Sequence, residues 1–77
     1  MRYAIVIEKA DNNYSAYVPD VPGCIATGGT IDEVKRNLAE ALQFHFEGMR
    51  ADGDALPQPS STVDYLDVLA PTHRAAG

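Results

Sequence analysis

Val18 to Met49 reads VPDVPGCIATGGTIDEVKRNLAEALQFHFEGM, and the order of signals inside it sets the fold. Pro19 and Pro22 have no N–H to give to a ladder, so a strand arriving at Val18 ends there. Gly23 supplies the positive φ that a turn needs after Pro22. Cys24 to Thr27 is short and apolar and reads as a strand returning antiparallel to the one before it, closed by Gly28-Gly29. Thr30-Ile31-Asp32-Glu33 has the T-x-x-E form of a capping box, with Thr30 accepting from the N–H of Glu33 and Glu33 reaching back. At about 100° per residue, Ile31, Val34, Leu38, Ala41, Leu42, His45 and Met49 share one helix face, and Glu33, Arg36, Glu40, Gln43 and Glu47 share the other. That pattern is an amphipathic helix with one side on a sheet. Phe44 falls off the apolar stripe, which leaves it to the tail of its own chain or to a partner.

Upstream, Arg2 to Glu8 alternates with period two, Tyr3, Ile5 and Ile7 pointing one way and Ala4, Val6 and Glu8 the other. Lys9 to Asn13 is a polar turn. Tyr14 to Val18 is a second strand, with Tyr14, Ala16 and Val18 on one face, so a hairpin is expected. Downstream, Ala51 to Ser61 carries Gly53, Pro57 and Pro59 and ends the helix in an extended connection. Thr62 to Leu69 alternates again and is expected to be a fourth strand. The fold class is α+β in the order β-β-β-α-β: a three-stranded antiparallel meander, one long helix and one further strand. Residues 1–69 form the single domain, and 70–77 are expected to be a disordered tail.

Seventy-seven residues allow one thin core. Six basic and eleven acidic residues leave a net charge of −5, and the basic residues are scattered. No basic stripe exists to follow a phosphate backbone, so direct nucleic-acid binding is not expected. The charge suits a basic protein partner, or serves solubility alone. One cysteine closes no intrachain disulfide. With no apolar run of membrane length and no signal-peptide pattern, the chain is expected in the cytoplasm and away from membranes.

No catalytic set emerges. Cys24, His45 and His73 lie apart in the sequence without metal-ligand spacing, and the carboxylates sit in turns and on the helix. Neither a metal nor a cofactor is expected. Cys24 with His45 could form a nucleophilic dyad, but Cys24 lies in an apolar strand, where a free cysteine is commonly a small core residue. Binding is the better reading. One helix covers one face of a sheet, and the other face is left for a partner or for a second copy in a homodimer or higher homo-oligomer.

Tyr3 to Glu47 resembles the HicB-type antitoxins of type II toxin–antitoxin modules. The resemblance is carried by the strand ending at Glu8, the Asp/Asn-rich hairpin before Tyr14, and the aromatic–Val–Pro strand end at Tyr17-Val18-Pro19. It continues through Asp20-Val21-Pro22-Gly23-Cys24, the Thr30/Glu33 helix start and the Leu56-Pro57-Gln58-Pro59-Ser60 stretch. It implies a partial RNase H-like fold without the nuclease's acidic cluster. It also implies a function: binding and neutralising HicA, a small basic mRNA-cleaving toxin, by masking its catalytic histidine. Candidate partner-binding residues are Tyr17, Pro19, Asp20, Pro22 and Gly23 around the turn, and Phe44 on the exposed helix face. Longer members carry a C-terminal DNA-binding domain, for which a chain ending at Gly77 leaves no room. The alternative is a self-associating, non-catalytic binding or structural domain with no toxin.

Overall fold

The computed structural model describes residues 1–71, so most of the expected tail at 70–77 lies outside the described residues. The elements are β1 (Val6–Lys9), β2 (Tyr14–Tyr17), β3 (Ile25–Gly28) and α1 (Ile31–Ala51). The strands form one antiparallel sheet in the order β1-β2-β3. Ile7 faces Ala16, and Ala16 faces Ala26, so one rank of side chains crosses the sheet on the helix side. α1 lies on β3 and β2 and leaves β1 at the margin.

The core is Ala16, Val18, Val21, Cys24, Val34 and Leu38, with Tyr3, Ile5, Ile7, Tyr14, Ala26, Ala41, Leu42 and Phe46 packed around it. Three of the six buried residues belong to the turn. Val21 N–H donates to Val18 C=O at 3.0 Å and Cys24 N–H to Val21 C=O at 3.2 Å, so residues 18–24 are two successive β-turns. Each turn has proline at its second position, where the fixed φ is already correct. Gly23, at the third position of the second turn, has φ 84°, as a type II turn requires. The spacing of three between Val18, Val21 and Cys24 sends all three side chains inward and the prolines outward.

Thr30 caps α1, its hydroxyl accepting from Glu33 N–H at 3.0 Å, which is the Thr30 half of the expected capping box. The helix ends where Gly53, at φ 79°, donates to Arg50 C=O and Asp54 donates to Met49 C=O. That double bond around a left-handed glycine is a Schellman motif. Gly28 does more than close a strand. A Cβ there would lie 2.6 Å from the Val34 backbone nitrogen, so glycine lets the first turn of α1 rest on β3.

Two expectations need correction. Thr62 to Leu69 alternates but forms no strand among the described residues. A strand needs a ladder partner; Thr62 and Val63 border a hollow with Arg2, Tyr3 and Ala4 without pairing, and beyond them the segment stands off the body, with Tyr65, Leu66 and Leu69 87%, 90% and 96% exposed. The meander and helix are therefore present without the fifth element. The helix stripe also closes differently: His45 is exposed, and Phe46 is half-buried against Tyr3, with ring centroids 5.5 Å apart. A helix of 21 residues is about 31 Å long, whereas a four-residue strand covers about 13 Å. The last turns of α1 overhang the sheet, and angular position no longer decides burial there.

Candidate protein-binding surface

The open face of the sheet is built by the residues that alternate with the core. Val6 lies opposite Tyr17, and Tyr17 opposite Ile25, giving an apolar row across all three strands on the side away from α1. The next row on that face, Glu8, Ser15 and Thr27, is polar. Tyr17 and Ile25 are 40% and 62% exposed, an uncommon display for an aromatic and a β-branched side chain side by side. At the end of this row the double turn adds Pro19, Pro22 and Gly23, all exposed, around a shallow hollow floored by Val18 and Val21. Rigid prolines, an aromatic at the centre and a polar margin suit a protein surface more than a small ligand.

Five of the six candidate residues fall into this region, and they divide by role. Tyr17, Pro19, Pro22 and Gly23 face outward together. Asp20 faces the C-terminal connection instead. Its carboxylate accepts from the backbone N–H of Ser60 and Ser61 at 2.8 and 2.9 Å, and from their hydroxyls at 3.1 and 2.7 Å. These bonds, led by the Ser61 hydroxyl, hold its pKa at about 2, below the ordinary 3.8. Asp20 is thus an anchor for its own chain. The Tyr3 hydroxyl donates to Pro57 C=O and makes a second attachment. Phe44 is 79% exposed and borders a separate hollow with His45, Gly48 and Met49, so it does not join the turn.

Sequence reasoning missed Ile25 and Val6 as surface partners of Tyr17. Their alternation with the helix-facing residues carried the signal, but the register that aligns them depends on hairpin geometry. Cys24 is buried in the core, where desolvation raises its pKa, and His45 borders a different hollow on the overhang of α1.

Residues 3–72 match the family model described as HicB_like antitoxin of bacterial toxin–antitoxin system. The chain belongs to the HicB-like antitoxin family. A 14.9 kDa uncharacterized protein of Haemophilus phage HP1 is 43% identical over 87% of this chain and 50% of its own length. A UPF0150 protein of Helicobacter pylori is 40% identical over 82% of this chain and 89% of its own length. Antitoxin HicB 1 of Photorhabdus laumondii is 31% identical over 88% of this chain and 45% of its own length. The chain therefore spans about half the phage protein and the Photorhabdus antitoxin, and most of the Helicobacter protein. Among solved structures, a chain of the HicA3 and HicB3 toxin–antitoxin complex matches with a TM-score of 0.67 and 33% identity, over 78% of this chain and 70% of that one.

Proposed function

We propose that this chain binds and occludes a small basic toxin of the HicA type and has no catalytic activity of its own. The observation that carries the reading is the match, at 33% identity and a TM-score of 0.67, to a chain of the HicA3 and HicB3 complex. The docking face is the Val6–Tyr17–Ile25 row with the Pro19/Pro22 turn beside it, because there the fold leaves apolar side chains uncovered on a rigid frame. An RNA-cleaving toxin needs cationic surface to meet phosphate, and a chain of net charge −5 attracts such a surface. The burial of Cys24, away from the hollow that His45 borders, supports the non-catalytic part. The same reading takes the chain as a cytoplasmic homodimer or higher homo-oligomer that makes no direct nucleic-acid contact. No helix among the described residues is long and apolar enough to cross a membrane.

The test is co-expression with a HicA-like protein encoded beside this chain. A co-purifying complex and restored growth are expected, and Tyr17→Asp or Ile25→Asp should weaken the complex about a hundredfold with helical circular dichroism unchanged. Failure of the unmodified chain to bind or to restore growth sinks the reading. A complex indifferent to both substitutions removes the open face as the docking surface.

A further inference from the structure

The end of α1 carries three residues that contacts within the chain do not explain. Phe44 is 79% exposed and leaves a large aromatic surface in water. Gly48 lies inside the helix with a right-handed backbone, where glycine is less stable than alanine. A Cβ there would meet nothing within 4 Å, so no close approach among the described residues requires glycine. Asp52 is the C-cap, at the end of the helix where the dipole disfavours a carboxylate. Local choices that oppose the fold without a compensating contact inside it mark a functional position.

These three residues form one ridge. A spacing of four sets Phe44, Gly48 and Asp52 one above another on the same helix face, and with His45, Met49 and Asp54 they line the hollow on the overhang. The missing side chain at Gly48 is a notch between an aromatic ring and two carboxylates. No lysine or arginine lines the hollow. Arg50, the basic residue of the last turn, is two positions from Gly48 and from Asp52, about 200° round the helix. The complement of this hollow is a cation, and arginine suits it better than lysine. A planar guanidinium stacks on an aromatic face and forks onto a carboxylate. The hollow is also within reach of a partner on the sheet. Val6 pairs with Tyr17, so the start of β1 and the Pro19/Pro22 turn lie at one end of the sheet. The packing of Phe46 on Tyr3 carries the overhang of α1 past that same end.

We propose that the Phe44–Gly48–Asp52 ridge is a second docking site for the basic protein partner, which enters it with an arginine laid across Gly48 between the Phe44 ring and the Asp52 and Asp54 carboxylates. Met49 supplies apolar contact for the arginine stem. Glycine at position 48 lets that stem lie against the helix backbone, a place that any side chain there would fill. The identity of the partner rests on the antitoxin reading. The ridge adds a contact on the helix to the one on the sheet.

The test measures the dissociation constant of the full chain with the HicA-like protein encoded beside it, together with the urea midpoint of each variant. Gly48→Gln should raise the urea midpoint, because the helix gains a better former, and weaken the complex about tenfold or more, because the notch is filled. Stability and affinity then move in opposite directions, which a damaged fold would not produce. Phe44→Ala should weaken the complex about tenfold, as should Asp52→Asn with Asp54→Asn. Removing the same two charges at Asp64 and Asp67 should change it less than about threefold, because exposed charges at a distance are screened. A complex that Gly48→Gln and Phe44→Ala leave intact overturns this proposal alone and leaves the sheet face standing. Equal losses from the two charge pairs overturn it as well, since net charge would then account for the attraction. Absence of any complex with the unmodified chain overturns the antitoxin reading and this proposal with it.

Discussion

Two single residues decide more than their types suggest. Asp20 resembles a free turn carboxylate, yet it gathers the hydroxyls and N–H groups of Ser60 and Ser61. Its pKa is lowered from 3.8 to about 2, so an unfolded chain takes up this proton at higher pH than the folded one. The anchor's contribution is therefore complete above about pH 4 and is lost as pH falls towards 2. A carboxyl-carbon titration by NMR is expected to place Asp20 near 2, with Ser60 and Ser61 amide exchange accelerating over the same range. Asp20→Ala should give that fast exchange at neutral pH. Gly28 is the other case. Its missing Cβ admits the Val34 backbone, and Gly28→Ala forces strand and helix apart. We expect about 1–3 kcal/mol of destabilisation, read from the urea midpoint. The sequence at Gly28 suggested only a strand end, because close approach between elements distant in the chain has no local signature.

At the scale of elements, the long helix and the double turn were legible and the last strand was not. The capping pair Thr30/Glu33 and the apolar spacing from Val34 to Leu42 act over one to three turns, and α1 begins and packs accordingly. Past Leu42 the sheet runs out beneath the helix, and neighbouring phenylalanines take opposite roles. Phe46 packs on Tyr3, whereas Phe44 stays 79% exposed. Phe46→Ala should cost about 2 kcal/mol in chemical denaturation, and Phe44→Ala less than about 0.5 kcal/mol. Equal losses would place the overhang of α1 incorrectly. Thr62 to Leu69 marks the limit of pattern reading: alternation says that a segment is able to pair, and a strand exists only where an edge receives it.

For the molecule as a whole, the exposed apolar face of the sheet is a consequence of covering three strands with one helix. Alternation within β1, β2 and β3 gives each strand an inner and an outer set, but only pairing in register sets Val6, Tyr17 and Ile25 in one row. The sequence by itself determined the three strands of the meander, the helix and its N-cap, the P-x-x-P-G turn and the family, because these depend on contacts a few residues apart and on residue chemistry at fixed spacing. The tertiary structure alone decided that the turn of Val18, Val21 and Cys24 is half the buried core, that Asp20 binds its own chain, and that the C-terminal arm finds no edge within it. Each of these depends on groups far apart in sequence coming together, and local propensity does not encode which of them will meet.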